Sequence, residues 1–220
     1  MTEFKRQTYS DQVADYIRRQ IRAGNFLPGE AVKEASIAGR LGISRAPVRE
    51  ALECLVQEGL LTSEPQKGKT VRRFTSKELY DSYIVGGILE GAGVAGSLSL
   101  WTEKNLAELA EVLRDMEAVC RTAHSLEPLV ALDERFHATL RMHCDNLRLL
   151  EMVHLSCAAI SKCWGYQHWI VLFTPKEYYQ RHEKVVSVMA TRDPERVEGV
   201  LREHYKEIGR RMAAFGEQPR

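Results

Sequence analysis

The sequence predicts a mainly α-helical chain in two parts: three helices with a short β-hairpin, then an all-α antiparallel helical bundle. Three observations carry this expectation. Apolar residues recur at three- and four-residue spacing through most of the 220 residues. Caps and breakers divide that pattern into helix-sized lengths. The stretch with strand character lies between Leu60 and Arg73, around Gly68. With 44% hydrophobic and 28% charged residues, the composition is that of a globular protein. No run of about 18 apolar residues announces a membrane span, and the polar Met1–Ser10 segment lacks the apolar core of a secretory signal.

The first helix is predicted from about Tyr9 to Ala23, with Val13, Ile17 and Ile21 as its inner stripe and Tyr16 beside them. Gly24 ends it, and Leu27-Pro28-Gly29 makes a turn. A short helix follows over about Glu34–Leu41, closed by Gly42. Ser44 occupies an N-cap position and Pro47 the first turn, where a missing N–H is harmless. That third helix runs to about Glu58 and buries Val48, Ala51, Leu52 and Leu55. Arg45 and Arg49 lie four residues apart and share its exposed face near the N-terminus. A recognition helix presents side chains to the major groove from this place, and an arginine fork suits a guanine edge or a phosphate. The other reading of that face is an ordinary solvated one. Beyond it, Leu60–Ser63 and Thr70–Arg73 read as strands joined at a glycine turn, with Lys67 and Lys69 at the tip within reach of phosphates. Residues 1–74 carry 13 Lys/Arg and 9 Asp/Glu, a net of +4, against −3 for residues 75–220. A polyanion partner is thus expected for the first part only. The domains are accordingly drawn at 1–74 and 75–220.

Six helices are predicted in the second part: about 77–100, 103–122, 126–144, 147–164, one starting after Thr174, and one after Asp193 that reaches about Phe215. Thr174, Pro175 and Glu177 spell a capping box with proline at the first helical position. The five cysteines form no CxxC pair and are odd in number, which fits a reduced, cytoplasmic setting and a role as small buried hydrophobes.

One pattern in this half points to chemistry. Asp133 and His137 stand four residues apart on a stripe with Leu129, Leu132, Phe136 and Leu140. His182 aligns with Tyr178, Val185, Val186 and Met189, and His204 with Val197, Val200, Leu201 and Ile208. A buried polar side chain without a partner costs about 1–3 kcal/mol, and four such penalties approach the roughly 5–15 kcal/mol net stability of a domain. A shared divalent cation removes the difficulty. Separately satisfied core residues are the alternative. The remaining histidines show no such convergence.

Two strings resemble a known family. SRAPVREAL, followed by L-x-x-EGL and a glycine-tipped hairpin, resembles the winged helix-turn-helix of GntR-family transcriptional regulators. The resemblance implies that Ser44, Arg45, Pro47 and Arg49 face double-stranded operator DNA, with Lys67 and Gly68 in the wing. Ala46 and Val32-Lys33 depart from the usual pattern, which affects which bases are read rather than the fold. ALDERFHATL, with Asn146 beyond it, and RHEKVVSVMATRDPERVEGVLREHYKEI resemble the FCD ligand-binding domain of the FadR-like branch. This implies that Asp133, His137, His182 and His204 hold one metal ion, zinc first and nickel or manganese next. It also implies a homodimer and a small-molecule effector, an organic acid by default.

Relatives often carry an arginine shortly before the glutamate of the first helix of this domain; here Gly86-Gly87-Ile88-Leu89 precedes Glu90. Arg141, one turn past His137, is a candidate for the missing charge, which makes Glu90 and Arg141 the expected effector contacts. The glycines at 86, 87, 91, 93 and 96 imply either close helix packing or a cavity enlarged for a bulkier effector. The function expected is that of an effector-responsive regulator, a repressor by preference and not an enzyme. A regulator with a purely structural metal is the second reading. A metal-dependent hydrolase fused to a DNA-binding module is the third, disfavoured because no inward carboxylate is placed as a general base and no HExxH motif occurs.

Overall fold

The computed structural model describes residues 7–64 and 68–218. By its contacts the chain divides into two compact units, residues 1–73 with 158–167, and residues 74–157 with 168–220.

The first unit is built as the periodicity implies. Helices α1 (Tyr9–Arg22), α2 (Glu34–Leu41) and α3 (Arg45–Gln57) precede strands β1 (Leu61–Glu64) and β2 (Gly68–Val71). The strands pair antiparallel, Leu61 opposite Val71 and Ser63 opposite Lys69. Val13, Ile17, Ile21, Ile37, Val48, Leu52, Leu55 and Leu61 are buried in one core. Gly24, Gly42 and Gly59 follow the three helices in the left-handed conformation, where glycine carries no steric penalty. The turn after α1 does more than reverse the chain. Val71 donates to the Glu30 carbonyl and Val32 to that of Lys69, so residues 29–32 add a third extended segment to the hairpin. Cys163 also lies in this core. It sits on a π-helical turn, Ile160–Trp164, closed by a bond from the Gly165 N–H to the Ile160 carbonyl.

The second unit is all helical: α4 (Ser76–Gly96), α5 (Glu103–Cys120), α6 (Val130–Leu140), α7 (Leu147–Ala159) up to Cys157, α9 (Pro175–Met189) and α10 (Pro194–Met212), with the single-turn α8 (Tyr166–Trp169) divided between the units after Gln167. Four threonine and aspartate caps start four of these helices. Thr75, Thr102 and Thr174 each accept from the third residue on, in reciprocal boxes with Glu78, Asn105 and Glu177. Asp193 accepts from Glu195 and Arg196. The predicted third helix of this part is shorter than expected, with a 3₁₀ turn at Glu127–Leu129 before it. The predicted 147–164 helix is α only to Ala159. No helix among the described residues is long and apolar enough to cross a membrane.

Gly86, Gly87, Gly91 and Gly93 of α4 serve close packing rather than an open cavity, whereas an added Cβ at Gly96 meets nothing within 4 Å. A Cβ at Gly87 would stand 2.8 Å from Tyr205 Cβ, and one at Gly91 3.2 Å from the Glu198 carbonyl oxygen. Reciprocally, a Cβ at Gly209 on α10 would meet Tyr83 Cβ at 2.9 Å. The two helices approach through these gaps, and this fixes the register of α10 on α4. Gly209→Leu is therefore expected to lose about 1–3 kcal/mol by overpacking. Gly199→Ala on the same helix, where an added Cβ meets nothing within 4 Å, should gain up to about 1 kcal/mol of helix propensity. Urea unfolding of the two variants checks the contrast; equal effects would contradict it.

Candidate metal centre and DNA-facing helix

Three helices bring His137 (α6), His182 (α9) and His204 (α10) together. Each offers a ring nitrogen within 4.8 Å of the others'. All three residues are buried, and so is Asp133. His182 and His204 sit edge to face with ring centres 4.8 Å apart.

The bonds around the rings fix which nitrogens carry lone pairs. His182 Nδ1 lies 2.7 Å from the Tyr178 carbonyl oxygen. A carbonyl can only accept, so Nδ1 holds the proton and Nε2 the lone pair. His137 Nδ1 lies 2.8 Å from Glu90 Oε2, and by the same reasoning its Nε2 is also a lone-pair nitrogen. Both Nε2 atoms face Asp133 Oδ1, at 3.5 Å from His182 and 3.8 Å from His137. That oxygen accepts the Tyr178 hydroxyl at 2.7 Å. Lone pairs thus converge at separations too long for hydrogen bonds. His182 Nε2 and both nitrogens of His204 are buried without a hydrogen-bond partner. Such an arrangement is repulsive as it stands and is satisfied by a cation at its centre. The donor set of imidazole nitrogens and one carboxylate oxygen suits zinc, nickel or manganese.

Electrostatics agree with a neutral His182 and a neutral His204. Burial pushes the His182 imidazole below its usual value, and pushes His204 well below, with Arg181 adding to the effect on His204. Burial alone raises Glu90, but His137, Arg141 and Tyr205 outweigh it and hold the carboxyl below its usual range. Glu90 is fully buried. It is engaged by His137 through Oε2 and by Arg141 Nη1 at 2.7 Å through Oε1, so it holds the site's side chains rather than offering a free oxygen. Arg141 stands at the edge, its side chain 27% exposed.

Three neighbours escaped the sequence reading. Tyr178 was visible on the His182 face, but its bond to Asp133 was not. Tyr205 bonds Glu90. Arg181 is buried beside His182 and donates to Glu207 and to the His204 carbonyl. It has an unpartnered Nη1, a burial that a charged residue type does not announce. The cysteines are free, as expected, but Cys54 is exposed rather than buried, because it lies on the solvent side of α3.

On the first unit, Ser44, Arg45 and Arg49 are exposed at the start of α3, with Pro47 half-buried. Ser44 is the N-cap residue, but its hydroxyl makes no capping bond. Arg49 donates through Nε and Nη2 to the two oxygens of Glu34, at 3.2 and 3.1 Å, so α2 orients its fork. Gly68 is exposed with φ of 76°. Lys67 lies outside the described residues.

Comparison with known proteins agrees with this architecture. Residues 9–71 match the family model "Bacterial regulatory proteins, gntR family", and residues 81–207 match "FCD domain". The chain is 30% identical over 168 residues to the Nta operon transcriptional regulator of Aminobacter aminovorans, covering 76% of this chain and 77% of that one. It is 30% identical over 210 residues to the probable D-xylose utilization operon transcriptional repressor of Paenarthrobacter nicotinovorans, covering 90% and 86%. Among solved structures, E. coli McbR/YncC superposes with a TM-score of 0.68 at 23% identity, over 91% of this chain and 95% of that one.

The depressed imidazoles give the metal-free protein a signed pH dependence. Unfolding returns His182 and His204 to about 6.5. Below that pH the unfolded chain binds more protons, so stability falls on acidification. Above it the two rings are neutral in both states and add no slope. The urea midpoint of chelator-treated protein is expected to drop between pH 7 and 5; a midpoint that rises on acidification would contradict the buried neutral cluster.

Proposed function

The chain belongs to the GntR family of bacterial regulatory proteins, with an FCD domain as its second part, and on that footing we propose a metal-dependent, effector-responsive repressor. It is a DNA-binding transcriptional regulator and not an enzyme. In the proposed reading, Asp133, His137, His182 and His204 hold one divalent ion, zinc first, and a small carboxylate completes its coordination. When bound, the ion supplies a positive centre for that carboxylate. Tyr178 orients Asp133, and Glu90 orients His137. The observation that carries this reading is the convergence of ring nitrogens from three helices beside an Asp133 oxygen, with His182 Nε2 and both His204 nitrogens buried without a hydrogen-bond partner.

The ion has a folding role as well, since His182 Nε2 and a nitrogen of His204, buried without a hydrogen-bond partner, gain one. The near-complete burial of the cluster favours a second reading, in which the ion is purely structural. Chelation separates the two. Removing the ion is expected to lower the melting temperature and also to abolish the effect of carboxylates on operator binding. Metal-free, still-folded protein that responds to carboxylates unchanged would leave the ion structural only.

Homodimerisation is part of the proposal. Beyond its polar first two turns helix α4 is largely apolar, and Val85 and Ile88 remain exposed on it, a pattern expected of a helix that is covered on both faces. A dimer would present two copies of α3 to half-sites about one helical turn apart. The effector would act by favouring one arrangement of the helical domain over another. Ser44, Arg45, Pro47 and Arg49 are proposed to meet the DNA, with Lys67 and Gly68 in the wing. Arg45→Ala and Arg49→Ala are each expected to weaken binding to the operator by about 1–3 kcal/mol, a base contact relaxing specificity and a phosphate contact flattening the salt slope by about one. Gel-shift titrations across salt concentrations check this; unchanged affinity in both variants would remove α3 from the interface.

A further inference from the structure

Glu90 is bonded on both sides to groups of opposite purpose. Oε2 accepts the Nδ1 proton of His137, whose other nitrogen faces the cluster. Oε1 accepts from Arg141 Nη1. The carboxylate is fully buried, so water does not screen one side from the other. Arg141 is different: its side chain reaches the surface, and only Nη1 has a protein partner among the described residues. A guanidinium has five N–H donors in a planar fork. The outward ones match a carboxylate.

We infer that Glu90 couples two ligands, so that a carboxylate seated on Arg141 and a divalent ion seated on the histidine cluster tighten one another. This rests on the metal reading above and extends it to how the site is regulated. The sign follows from charge. With no anion present, the Arg141 charge is directed at Glu90 and draws electron density from it. Glu90 then pulls less on the His137 N–H. An anion on the outer N–H groups shares that charge, or takes the guanidinium away altogether. In either case Glu90 pulls harder on His137, and Nε2 becomes a stronger donor to the ion. Carboxylate partners of metal-bound histidines act in this direction, and their removal commonly weakens metal affinity by about 10–100-fold. Linkage makes the effect reciprocal: the ion must tighten the anion by the same factor.

The local sequence is arranged for such coupling. His137 and Arg141 are one helical turn apart on α6, and Glu90 stands opposite both on α4. Gly87 and Gly91, one turn before and one residue after Glu90, let α10 close over the helix, with Tyr205 packed into the gap at Gly87. Glu90 thereby sits in a fixed position between its two partners, and a change at Arg141 is passed to His137 instead of being relaxed by movement.

The test uses the full chain, with cobalt(II) as the metal probe because its visible spectrum reports imidazole ligation independently of regulation. Cobalt affinity is measured with butyrate and with uncharged butyramide at equal ionic strength, and their ratio is the coupling factor. Wild type is expected to show a factor of about 5–150. Arg141→Met should lower it several-fold, and Arg141→Lys should restore part of it. Glu90→Gln should lower it likewise. A coupling factor in Arg141→Met equal to that of wild type overturns the inference, as does a factor of one in wild type that nevertheless binds both ligands. Wild type that binds no cobalt overturns the metal reading itself, and the coupling with it. Arg141 lies at the edge of the unit, so its variants carry the test even if Glu90→Gln fails to fold.

Discussion

Lone pairs that face one another inside the helical unit set the terms for the rest of it. His182 gives its one proton to a backbone carbonyl and His137 its own to Glu90. Neither has anything left to donate toward Asp133. Buried acceptors at 3.5 and 3.8 Å repel when both rings are neutral, and the fold must hold them there against that repulsion. The interlocked glycines of α4 and α10, the capping boxes that start α4 and α9 and the aspartate cap that starts α10 do so by fixing where each helix begins and how closely it packs. An apolar core of the same volume would be simpler and no less stable. The retention of three imidazoles and a carboxylate in such a place is understood physically if a cation occupies it.

Much of this was legible in the sequence because helices have a fixed period. Asp133 and His137, four apart, had to share a face, and His182 and His204 each fell on an otherwise apolar stripe. Thr174 and Glu177 announced the start of α9 through their own spacing. The limits are equally physical. Whether three stripes meet at one point depends on crossing geometry, which periodicity does not encode. Glu90 lies on the largely apolar part of α4, so no stripe marked it as inward. Its engagement by both His137 and Arg141 required α4 and α6 to be placed together. The π turn at Ile160–Trp164 left no trace in the pattern, since one inserted residue looks like an ordinary shift of phase. Cys54 was misread because residue type was used where helix face decides.

The DNA-facing unit shows the same division between pattern and geometry. The arginine pair on α3 was readable from spacing alone. The role of Glu34 was not: it grips Arg49 with both oxygens from another helix. An exposed pair of this kind contributes about 1 kcal/mol or less to stability. Its effect is orientation, since the Glu34 carboxylate holds the planar fork of Arg49 in place. Similarity to solved relatives below 25% identity supports the shape. The residue-level account rests on these bonds.

X-ray absorption spectroscopy of the protein loaded with one equivalent of zinc tests the central claim most directly. Three imidazole nitrogens at about 2.0–2.1 Å with additional oxygen scattering is the result expected. A zinc shell of water alone, or one dominated by sulfur at about 2.3 Å, would mean that the histidine cluster is not where the ion resides.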